Sequence, residues 1–511
     1  MAGILAFSSA DYGDKRSYLA AGLVLGGALA VIFLLQRLRP VRRILSGRRI
    51  AQWSLFFVAG TGLTALHRVD PAPALEHHGE QLTCLGRVES IPQLRGRWEC
   101  STATLFCYAD STNGSWIPLD QLKVRLYTDT SAGNPRLRIG DLVRMEQGRL
   151  YAADSTGYDR YMHRTRGISA RYYAWRFVRI GTDTTLLFRI EQIRHRLGER
   201  LLHAPDTAAD DASRVMQTLT TGDPSGIDPP LRAQYARSGV AHLLAVSGLH
   251  VGIIFLILNL LFGWIRLFRR GPAIMGTLVI LCLCTYALFT GLSPSVVRAV
   301  VMFSLLQIGL MLSRHTNSLN ILCAAAFIIS IWNPYSVYHI GFQLSFAAVA
   351  GILTLCPPIA RLWRPRFAVL RWLWSLTLVG LAAQIGTFPL VLYHFGQLQY
   401  AGLLLNPLVW FTVPVLIGGS LLYLAVGWEW IYEGTHRVAE WQNAAVGWTA
   451  EQTWAALSGL TLPGWACIAI YAGLIGGIVW LNRVSTAKTR SCFQPSAVSE
   501  EAPASFPRAA K

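Results

Sequence analysis

The hydrophobic and polar positions of this chain fall into three regimes. Two apolar stretches, 17–36 and 51–66, come first; a region of short alternating runs follows, and then a nearly continuous series of apolar stretches. A helix needs about 20 apolar residues to cross a hydrocarbon core roughly 30 Å thick. On hydropathy 240–265, 272–290, 296–312, 318–331, 338–356, 372–392 and 464–481 read as further spans. Residues 401–426 are also apolar, but Asn406, Pro407 and Pro414 interrupt them. Proline deletes a helical hydrogen bond, so this segment reads either as one kinked helix or as two half-spans. About ten crossings are predicted in all. The first stretch lacks a small-residue cleavage site and a second span soon follows it, so it reads as retained.

Residues 72–185 break the apolar pattern. Short alternating runs at 82–90, 103–109, 121–127, 141–150 and 168–178 are bounded by Gly, Pro, Asn and Asp. Five short strands with turn signals and no intervening helical pattern predict a small β-barrel or sandwich rather than a parallel βαβ architecture. In residues 186–202 apolar positions at helical spacing face Arg189, Arg194, Arg196 and Arg200. That helix either lies on the membrane surface or packs on the bundle as a connector.

Composition sharpens this picture. Hydrophobic residues make up 52% of the 511 and charged residues only 14%, and mean hydropathy is +0.37. Soluble domains carry roughly 25% charge, so disorder and a soluble enzyme are both poor fits. The net charge of +18 suggests nucleic acid, an anionic surface or an orientation signal. Its distribution favours orientation. Arg37, Arg39, Arg42, Arg43, Arg48 and Arg49 sit between the first two spans with no acid among them, which makes that loop cytoplasmic and residues 72–185 extracytoplasmic. Arg266, Arg269 and Arg270, then Arg314, then Arg361, Arg364, Arg366 and Arg371 recur at every second turn. The turns around Gly291, Asn333 and Gly396 are almost uncharged. Arg483, Lys488 and Arg490 after the final span favour a cytoplasmic C-terminus, and with it two half-spans inside 401–426.

The least ordinary stretch is Arg237-Ser-Gly-Val-Ala-His-Leu-Leu-Ala-Val-Ser-Gly-Leu-His-Val-Gly252, which opens an apolar span. His242, Ser247 and His250 are costly at membrane depth unless they face a cavity or a partner. Their spacing puts them on one broad helical face, and Gly248 and Gly252 permit close helix approach. Interhelical hydrogen bonding alone would also explain them.

Several ordered motifs give this chain a resemblance to the ComEC family of DNA-uptake channels. They are Thr221-Gly-Asp223, Ser238-Gly239, the run from His242 to Gly252, Gly291-Leu-Ser-Pro-Ser-Val-Val-Arg-Ala299, and Asn333-Pro-Tyr through Gly341-Phe-Gln-Leu-Ser-Phe346. Gln384-Ile-Gly-Thr-Phe-Pro389, His394-Phe395, Asn406-Pro407 and Pro414 resemble the later helices. Gly140-Asp141, Gly148-Arg-Leu150, Gly157-Tyr-Asp159 and Arg166-Gly-Ile168 match the outward OB-like domain. The resemblance implies a polytopic α-helical membrane protein with an inserted small, OB-like β-barrel on the extracytoplasmic side. Its map is 1–71 two spans, 72–185 the β-domain, 186–237 amphipathic connecting helices, 238–482 the channel bundle, and 483–511 a polar tail.

The implied function is an inner-membrane channel that passes single-stranded DNA into the cytoplasm during natural transformation. It implies no enzyme activity, no cofactor and no metal. The metallo-β-lactamase-like domain that many family members carry has no counterpart here, since no His-x-His-x-Asp-His cluster occurs. The partners implied are single-stranded DNA, the bilayer, a periplasmic DNA-binding protein and a separate ATP-driven motor, with a second copy of the chain as a further partner. No Gly-x-x-x-x-Gly-Lys-Ser/Thr loop is present. A polyanion crossing hydrocarbon needs donors along a hydrated path. Candidates for that path are His242, Ser247, His250, Arg298, Gln307, His339, Gln343, Gln384, His394 and Asn406. Arg298 is the best phosphate contact, against the alternative of a helix-end arginine reaching the interface. In the β-domain Arg160, Arg164, Arg166, Arg171, Tyr172 and Arg176 form the candidate DNA contact, interleaved with Tyr158, Tyr161, Tyr173 and Trp175.

Two smaller points complete the reading. Cys84, Cys100 and Cys107 allow one disulfide and leave one thiol; if 82–90 and 99–108 form a hairpin, Cys84 faces Cys107 and that pair is expected over the other two, with three free buried thiols as the alternative. A competing function is an intramembrane serine hydrolase with Ser247 and a histidine from another span, His339 or His394. Against it, Ala245 stands where a rhomboid-like pattern has glycine. A metal transporter using the histidines is disfavoured by the lack of Asp and Glu in those spans.

Overall fold

The computed structural model describes residues 77–491 except 91, 96, 110–114, 131–136, 153–165, 184, 203–209, 245, 313–316, 364 and 461. The two N-terminal spans, their arginine loop, Arg160, Arg164 and the end of the tail therefore lie outside the described residues. The helical part carries five helices long and apolar enough to cross a membrane, joined in sequence to a β-sheet domain.

The β-domain is built from β1 (Thr83–Val88), β2 (Gln93–Arg95), β3 (Trp98–Ala109), β4 (Trp116–Asp129), β5 (Asp141–Ala152) and β6 (Ala170–Thr182). β1 pairs with both β3 and β5, β3 with β4, and β5 with β6, all antiparallel, while β4 and β6 run parallel. The pairings thus form a ring of five strands, with β2 folded back on β3. Strand alternation sends Leu105, Leu126, Met145, Leu150, Tyr172 and Ala174 into one core. The Tyr172 ring fills the space where a side chain at position 148 would stand, so this position takes glycine. Its hydroxyl donates to the Leu82 carbonyl.

The helices are α1 (Leu186–Leu202), α2 (Asp211–Thr221), α3 (Pro229–Arg237), α4 (Gly248–Leu261), α5 (Gly271–Phe289), α6 (Pro294–Met311), α7 (Ser318–Trp332), α8 (Ile340–Leu362), α9 (Ala368–Phe395), α10 (Gly402–Val426), α11 (Glu429–Glu451) and α12 (Gly464–Ser491). The five long apolar ones are α5, α6, α8, α9 and α10. Two short strands, β7 (Gln397–Gln399) and β8 (Ala456–Ser458), pair with each other. The chain divides into two compact units. One holds residues up to 346 with 399–456, and the other holds 347–398 with the segment from 457 onward. Inside the second unit α8 and α9 cross at Gly351 and Gly386, where an added Cβ on Gly351 would stand 2.5 Å from the Ala382 carbonyl oxygen. Tyr471 on α12 donates to the Gly386 carbonyl at 2.9 Å.

Three expectations change here. The segment 401–426 is one continuous helix, α10, with Pro407 and Pro414 inside it. Dense packing against α2 and α11 holds a helix that two missing donors would otherwise weaken. The helix that follows, α11, packs back along α10. Thr412 meets Gln442, Tyr423 meets Tyr432 at 5.2 Å, and the Ala401 N–H donates to Ala455 at 3.3 Å. One number falls as the other rises, so the pair is antiparallel and α11 ends beside the start of α10.

Secondly, α1 packs against α2, α5 and α10 rather than standing apart, which selects the connector over the surface helix. α2 is buried along its length among Leu219, Val413, Leu416 and Val446. A reciprocal cap between Asp210 and Ser213 (2.9 and 3.1 Å) starts it. Thirdly, the expected helix over 240–265 begins only at Gly248, and a 3-10 turn at Ala241–Leu243 precedes it. Gly239, at φ +81°, lets this segment pass within van der Waals reach of Gly402 at the start of α10.

Candidate nucleic-acid interface

On β6 the residues alternate, so Arg171, Tyr173 and Trp175 face outward while Tyr172 and Ala174 face the core. The expectation that Tyr172 contacts DNA is therefore corrected: its side chain is fully buried. Arg166 and Arg176 are exposed, and Arg171 is half-buried. The parallel register sets Arg171 beside Arg125 and Tyr173 beside Tyr127 of β4. The two tyrosine rings stack at 4.7 Å with an interplanar angle of 11°. Trp98 and Tyr151 meet Tyr173 edge-on at 5.6 and 5.7 Å, and Trp175 meets Trp98 at 6.4 Å.

Guanidinium groups lie over this surface. Arg125 sits 5.6 Å from the Tyr127 ring and Arg97 sits 5.1 Å from Trp98, while Arg149 is exposed opposite Tyr173 on β5. Burial among these rings pushes the Tyr127 phenol up, with Arg125 working against it. Sequence reading missed Trp98, Arg125, Tyr127, Arg149 and Tyr151. The signal was present in the alternation Leu122-Lys-Val-Arg-Leu-Tyr127, whose polar members share a face.

The cysteine pairing also differs from expectation. Cys84 and Cys107 are free thiols. The register sets Leu85 opposite Cys107 and Cys84 opposite Tyr108, one step out of line for a bridge. Cys84 points into the core, where burial pushes its thiol up to about 12, while Cys107 is half-buried.

In the helical unit the motif residues gather at helix starts. Ser247 is the N-cap of α4 rather than a residue within it. Its Oγ accepts from the Leu249 N–H (3.3 Å), and its own N–H donates to His250 Nδ1 (3.1 Å). Oγ also lies 2.9 Å from Nδ1. A backbone N–H donating to Nδ1 fixes the tautomer, so the His250 proton sits on Nε2. Nε2 is buried without a partner. A histidine thus does reach Ser247, but it is His250 of the same helix, held as a cap. His242 stands on the 3-10 turn that precedes this helix and is exposed.

Arg298, on the second turn of α6, is 3% exposed and donates to Ser295 Oγ at 3.0 Å. The turn before α6 is strained, with Leu292 at φ +51°. His339 precedes α8, and its Nδ1 accepts from the Gly341 N–H at 3.2 Å. Gln343 donates to the Val337 carbonyl at 3.1 Å. Gln307 is buried on α6 with an unpartnered Oε1, and Asn406 is half-buried on α10. Gln384 and His394 belong to the second compact unit. Among the described residues one set of metal-ligating types converges, Asp210, His436 and Glu440. His436 already lies between the two carboxylates, at 3.0 Å to Asp210 and 3.8 Å to Glu440, and so ties the N-cap of α2 to α11.

Residues 219–484 match the family described as Competence protein. ComE operon protein 3 of Bacillus subtilis is 36% identical over 211 residues, covering 41% of this chain and 26% of that protein. Competence protein ComA of Neisseria gonorrhoeae is 27% identical over 267 residues, covering 48% and 37%. Recombination protein 2 of Haemophilus influenzae is 24% identical over 213 residues, covering 39% and 26%. The chain thus spans between 26% and 37% of the length of these relatives. No solved structure matches it.

Proposed function

The chain belongs to the Competence protein family, and on that premise we propose that it is an inner-membrane channel carrying single-stranded DNA into the cytoplasm during natural transformation. The outer face of the β-domain carries this reading. Stacked and edge-on rings of Tyr127, Tyr173, Trp98 and Tyr151, bordered by Arg125, Arg171 and Arg149, combine π surfaces with positive charge. Bases of any sequence stack on such rings, and the phosphates between them take up the guanidinium groups. The ring of five strands with one parallel pair supports an OB-like barrel for this domain. The strand then passes the buried polar groups of the helical bundle. A separate ATP-driven motor and a periplasmic DNA-binding protein are the partners this reading requires, and the chain itself acts as a conduit rather than an enzyme.

The test is transformation frequency in the source cell, measured with membrane quantity of the protein and DNA uptake up to the membrane. A clean deletion is expected to abolish transformation while leaving uptake to the outer side intact. Normal transformation in that deletion overturns the channel. Labelling of Ser247 by a fluorophosphonate would instead favour a hydrolase.

A further inference from the structure

Buried charges in proteins are paired, because taking a lone ion out of water is costly. Arg298 breaks that rule. Its side chain is 3% exposed, its Nε has no partner, and it takes part in no ion pair among the described residues. Its side chain donates to the neutral Ser295 hydroxyl. No Asp or Glu occurs in the sequence between Asp228 and Glu429, so none of the apolar helices around it can supply a carboxylate.

What surrounds Arg298 is more positive potential. His339 lies within electrostatic range of both Arg298 and Arg166, the latter from the β-domain in the same compact unit. An added Cβ at Gly341 would stand 3.6 Å from Arg298 Nη2, so the guanidinium reaches the first turn of α8. Because Gly341 donates to His339 Nδ1, the imidazole proton sits on Nε2. Two long helices, α6 and α8, present their N-termini here, and each adds partial positive charge. The N-cap residue of α6, Ser293, carries a buried hydroxyl without a partner.

We propose that Arg298, His339 and Arg166 form an oxyanion site that takes a phosphodiester of the incoming strand where it leaves the β-domain for the helices. This rests on the DNA reading above and deepens it to a named contact. The Arg298 guanidinium N–H groups complement a phosphate oxygen pair, and the phosphate is the counter-ion that the sequence withholds. A site of this kind is singular, so it would hold one phosphate at a time and release it as the next arrives.

The test uses the full chain in a maltoside detergent, free of phospholipid, with three probes: inorganic phosphate, a twelve-residue oligothymidine, and phosphatidylglycerol. Inorganic phosphate is expected to raise the thermal midpoint of the parent protein and to leave that of Arg298→Gln unchanged. For oligothymidine, the slope of log affinity against log salt is expected to be shallower in Arg298→Gln by about 0.7, the value of one single-strand phosphate contact. Arg298→Lys is expected to keep most of both effects, and His339→Gln to weaken them. If Arg298→Gln does not fold, Arg298→Lys, His339→Gln and Arg166→Gln carry the comparison, and responses equal to the parent in all three overturn the site. If the parent binds oligothymidine and Arg298→Gln matches it in slope and phosphate response, the site falls and the DNA reading stands. If the parent binds no oligothymidine but shows the Arg298-dependent phosphate shift, the oxyanion site stands and the DNA reading falls. An Arg298-dependent response to phosphatidylglycerol alone makes it a lipid site and overturns the proposal.

Discussion

The outer face of the β-domain and the helix starts of the bundle present their donors in opposite ways. On the β-domain the rings and guanidinium groups are half-exposed, repeated at every second residue and shared among β3, β4, β5 and β6. In the helices three polar groups are single and buried: Arg298, His250 and Gln307 are each at most 3% exposed and each keeps an unpartnered atom. A sheet lattice spaces side chains evenly, so binding there is distributed and tolerant of loss. A helix start concentrates charge at one point, and an apolar surround makes every member count.

The largest effect that would sharpen this contrast is at Arg298. Replacement by Ala is expected to abolish transformation at unchanged membrane level of the protein, and transformation near the parent frequency would erase the distinction. Next comes Tyr127→Ala with Tyr173→Ala in the full chain. Loss of stacking is worth about 1–3 kcal/mol per base, so oligothymidine affinity should fall in a graded way, with a single replacement costing part of the double. An all-or-none loss from either single change would break the picture of a distributed face.

Gly148→Ala should destabilise the β-domain by about 1–3 kcal/mol, because the new methyl must displace the Tyr172 ring from a filled core. Proteolysis or thermal unfolding of the full chain reads this. Ser247→Ala should cost about 1 kcal/mol through loss of the cap, with Ser247→Asp restoring it. Failure of Asp to restore function would mean that the hydroxyl does more than begin a helix. The smallest effect concerns pH. Burial raises the Cys84 thiol from its ordinary 9.0 to about 12. The neutral form is thus the one the folded state favours, and its stabilisation is complete below pH 9 and lost between pH 9 and 12. Flat stability across that window, or alkylation of Cys84 at pH 8, would contradict its burial.

Much of the fold was legible in the chain because hydrophobic burial writes itself into local pattern. The apolar runs at 272–290, 296–312 and 372–392 became α5, α6 and α9, and the alternating runs of 72–185 became strands. α11 escaped notice because Glu429, Glu433, His436, Arg437 and Glu440 lower its hydropathy, although Ile431, Thr435, Ala439, Gln442 and Val446 give it a buried stripe. In the site, Arg298 and the run around Ser247 stood out as polar groups among apolar ones. Tyr172 was misassigned because a list of adjacent arginines and tyrosines carries no parity until one residue is known to face inward.

The sequence by itself determined the mean environment of each segment: which stretches are apolar enough for lipid, which alternate as strands, and that no carboxylate lies near Arg298 along the chain. These follow from local composition and spacing, which burial acts on directly. Only the tertiary structure decided that α10 and α11 form a hairpin, that His250 rather than a distant histidine meets Ser247, and that Arg298 reaches the first turn of α8. Such placements depend on strand register and helix packing between residues far apart in the chain, and a one-residue shift in either would send the same side chains to other partners.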